Sequence, residues 1–294
     1  MSYIKFLTDK KLITPPNHIL TGVQYECMMG SIAYAVASDE SDIDIYGFSI
    51  PNKEMIFPHL RGEILGFGNQ TQRFEQYQQH HVDYEKKTYD LSIYSIIRYF
   101  QLCMDNNPNM IDSLFVPDRC VLFSTNIGKM VRESRKLFLH KGSFFKLKGY
   151  AYSQIHKIKT KNPEGKRKEI VEKYGFDVKF GYHTIRLLNQ CEQILMEHDL
   201  DLERNREQLK SIRRGDWTLK DIDDYFKAKE AELEKLYINS TLRHSPDEQA
   251  IKQLLINCLE EHFGNLNNCI ILPDNTQNLI SDIDNILNKF RRFR

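Results

Sequence analysis

The sequence has almost no net charge: 41 Lys and Arg stand against 40 Asp and Glu, a formal sum of +1. Any contact with nucleic acid must therefore come from a local patch rather than from the field of the whole chain. It has no apolar run of about eighteen residues, which excludes a membrane-spanning helix. The opening stretch MSYIKFLTDKK lacks an apolar core, so no secretory signal is expected. The cysteines Cys27, Cys103, Cys120, Cys191, Cys258 and Cys269 form no C-x-x-C pair, which argues against a zinc knuckle and against a disulfide framework. A cytoplasmic protein with reduced thiols and no membrane partner is the expectation, and the sequons at Asn69 and Asn239 have no secretory route to use them. Internal repeats, low-complexity tracts, a P-loop and a G-x-G-x-x-G are all missing. What remains is the composition of a globular chain: 294 residues, 41% apolar and 28% charged, enough for one large domain or two of ordinary size.

Against that background the run from Met29 to Gly47, MGSIAYAVASDESDIDIYG, carries chemistry. Gly30 and Ser31 form a turn that lets backbone approach a ligand closely and opens a short helix from Ser31 to about Val36. The run Ser41 to Tyr46 reads as a strand, and alternation puts Asp42 and Asp44 on one side while Ile43 and Ile45 face the core. Like charges held together on a half-buried surface repel, and are tolerated with a cation or a proton. A hard divalent metal, with its preference for oxygen ligands, suits two carboxylates and a phosphate. Asp39, in the turn before the strand, lies near enough in sequence to add charge.

The residues around this stretch give a coarse map. Ile19 to Tyr25 reads as a first strand, Pro51 as a strand end, and residues 59–80 as a long polar excursion. Tyr89, Leu91 and Ile93 alternate against Thr88, Asp90 and Ser92, a half-buried strand with Asp90 on its polar face. A helix follows from Ser95, and Asn107 before Pro108 caps another through Phe115. From about residue 118 strand signals fade and helices take over, which sets an expected boundary between a domain at 1–118 and one at 119–294. Helices are expected over Ser143 to Lys159, Phe176 to His198, Thr218 to Tyr237, Ser245 to Phe263 and from about Thr276, with capping boxes at Thr218 and Ser245. Residues 157–168 are the most basic segment, either a solvated loop or a contact for nucleic acid or triphosphate. In the 176–198 helix, Lys179, His183, Arg186 and Gln190 fall at spacings of four, three and four, one polar ridge between apolar flanks.

Gly30 and Ser31, a short helix, and then Asp-hydrophobic-Asp at Asp42 and Asp44 resemble the signature of the DNA polymerase β-like nucleotidyltransferase superfamily. More narrowly, the chain is similar over about residues 20–265 to the predicted nucleotidyltransferases named for their association with RNA ligases; its stretch Asn107 to Pro117 resembles theirs closely. That family usually has glycine where this chain has Ala35. The resemblance implies an α/β (α+β) fold, a small mixed-sheet nucleotidyltransferase domain followed by an all-helical domain. It implies a third carboxylate on a neighbouring strand: Asp90, with Asp83 and Glu85 as rivals. Asp42, Asp44 and Asp90 would hold two Mg2+ or Mn2+ ions, Gly30 and Ser31 the β- and γ-phosphates of an NTP, and Lys179, His183 and Arg186 would contact nucleotide or acceptor. The competing expectation for the ridge is that Lys179 and Arg186 pair with acids of the first domain. The implied activity is transfer of an NMP to a hydroxyl, with an RNA or tRNA end as acceptor; a module of the same fold that binds nucleotide or RNA without turnover is the alternative.

Overall fold

The computed structural model describes residues 1–38, 41–64, 66–70, 73–266 and 283. Asp39 and the helix expected from Thr276 lie outside the described residues. The chain opens with α1 (Tyr3–Asp9) and α2 (Asn17–Gly22), then β1 (Val23–Met28), α3 (Gly30–Ala33), β2 (Ile43–Ser49) and α4 (Lys53–Ile56). A hairpin of β3 (Gln76–Tyr84) and β4 (Lys87–Ser95) leads into α5 (Ile96–Met104) and α6 (Pro108–Phe115). After β5 (Val121–Ser124) come α7 (Asn126–Glu133), α8 (Gly142–Thr160), α9 (Lys166–Tyr174), α10 (Val178–Glu197), α11 (Arg206–Arg214), α12 (Leu219–Asn239) and α13 (Glu248–Phe263).

The strands form one mixed sheet in the order β3-β4-β2-β1-β5, with β2 and β4 parallel and the other pairs antiparallel. Strand alternation divides its side chains between two cores. Ile45, Tyr89, Leu91 and Ile93 pack with Ile4 and Leu7 of α1 on one face. Tyr25, Cys27, Phe48 and Tyr94 belong to the larger cluster that runs through α5, α6, α8, α10 and α12 on the other. Asp44 and Asp90, out of phase with Ile45 and Leu91, thus lie on the face that the helical half covers.

Several expected elements differ from those observed. Residues 17–22 are helical, and β1 starts only at Val23, because the apolar spacing there suits either period. Residues 76–80 belong to edge strand β3, whose exposed polar side chains hide its period. β5 follows residue 118, a short strand fixed by pairing with β1 across most of the first hundred residues. The helix from Pro108 to Phe115 is as expected, with Asn107 Oδ1 accepting from the backbone of Asn109 and Met110. Thr218 and Asp221 form the capping box of α12, whereas α13 is capped by Asp247 rather than Ser245. Among the described residues no helix is long and apolar enough to cross a membrane.

Candidate active site

The site is built where β2 and β4 run side by side. Their parallel register places Asp44 opposite Asp90. Asp42 lies just before β2 begins, exposed to solvent. Burial pushes the Asp44 carboxyl up to about 6, helped by the negative charges of Asp90 and then Asp42, while Lys179 and His80 pull the other way. Asp44 therefore feels both of the other carboxylates, and Lys179 at the start of α10 acts on it with the opposite sign. Of the two rivals to Asp90, Asp83 accepts a hydrogen bond from Thr88 Oγ1 at 2.7 Å near the hairpin tip, and Glu85 sits in the turn itself.

Gly30 packs directly on Asp44. A Cβ at residue 30 would lie 2.2 Å from Asp44 Oδ2 and would force that carboxylate to move, and the residue's φ of 62° is one that side chains disfavour, so both constraints favour glycine. The Met29 N-H donates to the Asp44 carbonyl at 2.7 Å, which ties the turn to the strand. Beyond Ser31 the helix is shorter than expected. It closes in a Schellman motif: Val36 N-H donates to the Ser31 carbonyl at 2.9 Å and Ala35 N-H to the Ile32 carbonyl at 3.1 Å. Ala35, with φ 54°, holds the left-handed position of that motif.

On the other side of Asp90 stands a group that sequence reasoning missed. β3 is bulged between Gln79 and Val82, and His81 takes the left-handed conformation, φ 55°. The bulge presents the His81 N-H to Asp90 Oδ1 at 2.8 Å and the His80 imidazole at 3.5 Å. The doubled histidine after Gln78 and Gln79 was the available signal, submerged in a polar run.

The helix ridge divides. Lys179 is exposed beside the cleft, and among the described residues no ion pair engages it. His183 is half-buried, its pKa driven well below the ordinary value by burial and then by Arg186, Lys179, Arg167 and Arg213. Arg186 is not in the cleft at all. It is buried, and its Nη1 donates to Asp112 Oδ2 at 2.6 Å, to the Tyr34 hydroxyl at 2.7 Å and to Gln190 Oε1 at 3.0 Å. Its guanidinium also lies 4.4 Å from the Tyr34 ring centroid. The Tyr34 hydroxyl in turn donates to Asp112, and Gln190 Nε2 donates to the other Asp112 oxygen at 3.0 Å. The competing expectation, pairing with an acid of the first domain, describes Arg186. Asp112, an acid among Met110, Ile111, Leu114 and Phe115, was the signal for it.

The donor set suits a hard divalent cation in kind, since it is all carboxylate oxygen and the charges of Asp90 and Asp42 raise the proton affinity of Asp44. Among the described residues no three His, Cys, Asp or Glu side chains already close on one point as a metal cage does.

A glycine turn pressed against paired strand aspartates, on a mixed sheet backed by helices, is the arrangement of a polymerase β-like nucleotidyltransferase. The chain belongs to the RNA repair pathway DNA polymerase beta family, whose sequence model matches residues 10–265. No curated protein matches it. Among solved structures it is similar to a nucleotidyltransferase-like protein from Exiguobacterium sibiricum 255-15, at 10% identity over 87% of this chain and 72% of that one. The TM-score of that likeness is 0.30, too low to carry an argument.

Proposed function

We propose that the protein transfers a nucleoside monophosphate from an NTP to a hydroxyl at an RNA end, tRNA being the first candidate, within RNA repair or modification. The observation that carries this is the register of Asp44 against Asp90 with Gly30 packed on the Asp44 carboxylate. In a wholly structural site the repulsion among three acids has no use, and a glycine forced against one of them has none either. Family membership supports the class of reaction.

In this reading residues 1–118, completed by β5, carry the chemistry, and the helices of 119–294 close over it. Asp42, Asp44 and Asp90 would hold Mg2+ or Mn2+, two ions in all. When bound, the metal supplies charge neutralisation on the phosphates and acidifies the acceptor hydroxyl. The backbone at Gly30 and Ser31 receives the β- and γ-phosphates, Lys179 offsets negative charge at the mouth of the cleft, and His183, kept neutral, lines it. The acceptor oxygen bonds to the α-phosphorus as the bond to the bridging oxygen breaks and pyrophosphate leaves; in this reading Asp90 takes the hydroxyl proton. Arg186 holds the turn from behind through Tyr34 rather than touching phosphate. Free buried thiols at Cys27, Cys103, Cys120, Cys191 and Cys258 suit a reducing, cytoplasmic setting.

The test is to incubate the protein with each α-labelled NTP, Mg2+ or Mn2+, and total tRNA. Label should pass to RNA in the wild type and not in Asp44→Asn. NTP binding with no transfer to RNA under either metal would instead favour a module that binds without turnover.

A further inference from the structure

Residues 157–168 carry six Lys and Arg against the single acid Glu164, in a chain whose overall charge is only +1. Such a run left in solvent would spread to lower its own repulsion. Here it is gathered: the end of α8, the connection and the start of α9 fold back over α10, and Phe180 is their common floor. Lys157 Nζ stands 6.0 Å from the Phe180 ring centroid, Lys161 Nζ 5.9 Å, and the Arg167 guanidinium 4.5 Å.

A neutral ring attracts cations but does not cancel their charge. The acid at hand is Asp177, which receives Arg167 at 2.8 Å and spends its other oxygen on the Lys179 N-H at 2.9 Å. Lys159 is paired with Asp223 and Lys168 faces Glu172. Among the described residues no ion pair engages Lys157, Lys161 or Lys179. The positive charge of this cluster reaches its surroundings, since Lys179 and Arg167 both help to depress His183. It also adjoins the carboxylate cleft: Lys179 precedes Phe180 in α10 and acts on Asp44.

We infer that this surface, Lys157, Lys161 and Arg167 over Phe180, holds the phosphate backbone of the nucleic-acid acceptor beside the cleft. The inference rests on the nucleotidyltransferase reading above. A polyanion with regularly repeated charges satisfies several separate cations at once, which a single small anion does not. The triphosphate, by contrast, already has the Gly30 turn and Lys179.

The test uses the full chain, fluorescently labelled tRNA without NTP, and ATP with Mg2+ as a separate ligand. The double variant Lys157→Gln, Lys161→Gln breaks no ion pair, and so keeps a wild-type melting temperature; adding Arg167→Met removes the third cation. In the double variant tRNA affinity should fall roughly tenfold, and the slope of log affinity against log salt should shrink by about two, with ATP affinity unchanged. The triple variant should lose about one further unit of slope. Unchanged tRNA affinity and slope in the double variant, or a wild type that does not bind tRNA, overturns the inference. So does a loss of ATP affinity in place of tRNA affinity, which would assign the cations to the triphosphate. Asp44→Asn separates this surface from the reading it rests on, because it should keep tRNA binding while transfer is lost. Cation-dependent tRNA binding by a wild type with no transfer would retain the surface and remove the activity.

Discussion

Asp44 and Asp112 are the same residue type, each withdrawn from water on the same side of the sheet, and burial pushes both carboxyls above the ordinary range. Their neighbours make the difference. Around Asp112 a guanidinium, a phenol and an amide all pull the pKa back down, and its oxygens are taken up by Arg186, Tyr34 and Gln190. Around Asp44 the charges of Asp90 and Asp42 push it further up and outweigh the opposite pull of Lys179 and His80. One acid has been completed by the fold and the other left short of a counter-charge. A completed buried charge joins elements together; an incomplete one, with Gly30 close against it, is the one that a cation would stabilise.

The largest effect should come from breaking the incomplete side. Under the proposed function Asp44→Asn removes a metal ligand, and with it several kcal/mol of charge stabilisation, so transfer should fall roughly a thousandfold or more in a single-turnover assay. The same change should make the apo protein more stable at neutral pH. A carboxyl whose pKa rises on folding favours the fold in acid; that advantage fades as pH climbs from 3.8 towards about 6, and above it the ionised form burdens the fold. The wild type should thus lose roughly 2 to 3 kcal/mol of apo stability across that window relative to Asp44→Asn. Denaturant unfolding at pH 4 and pH 7.5 checks this, and parallel curves for the two proteins would mean that Asp44 is not burdened.

Breaking the completed side should have the opposite signature. Arg186→Met keeps most of the stem's packing but strands Asp112, and removing one partner of a buried pair typically costs about 3 to 5 kcal/mol. NTP affinity of the folded protein should stay within about twofold. Adding Asp112→Leu should recover much of the lost stability, because the burden is the orphaned charge and not the missing contact. A hundredfold loss of NTP affinity without a loss of stability would return Arg186 to the nucleotide.

The contrast between the two acids also bears on which parts of the molecule could be read from sequence. The polar face of each strand was legible because a strand has a fixed period, which sets Asp44 against Ile45 and Asp90 against Leu91; that the two faces meet was implied only by the family resemblance. The ridge on α10 was legible as a ridge, since helix spacing fixes which residues share a face, but not as to what it faces. Arg186 meets Asp112 across 74 positions of chain, and Lys179, two turns earlier on the same ridge, ends in the open. Local period says nothing of that divergence. β5 and the bulge at His81 escaped for the same reason, their conformations being settled by the strands beside them. Caps at Asn107 and Thr218 were readable because both partners lie within a single turn.

Lys179→Met sharpens the contrast within that one ridge. The side chain is exposed and engages no carboxylate in an ion pair among the described residues, so stability should change by no more than about 0.5 kcal/mol. If it faces the triphosphate, NTP affinity should drop about tenfold, the lower end of what a charge-assisted contact provides, because solvent screens it. Isothermal titration with a non-hydrolysable NTP and Mg2+ reads this directly, and an unchanged dissociation constant would remove Lys179 from the site.

The smallest effect concerns the one position where the chain departs from the pattern it resembles. Ala35 occupies the left-handed place of the Schellman motif that ends α3, where a Cβ crowds the following carbonyl at a cost of about 1 to 2 kcal/mol. Ala35→Gly relieves that strain, but the unfolded chain gains freedom worth about 0.4 to 1 kcal/mol. The balance should be a net stabilisation of roughly 0.5 to 1 kcal/mol, visible as a small rise in denaturation midpoint with an unchanged m-value. Tyr34, which precedes it, is held by Arg186 and Asp112, and Arg213 donates to the Val36 carbonyl at 2.6 Å on the other side. These anchors fix the turn whichever residue stands at 35, so metal and NTP binding should be the same in both proteins. A destabilised glycine variant, or one that binds NTP more weakly, would mean that the alanine methyl packs the turn and that this packing outweighs the left-handed strain.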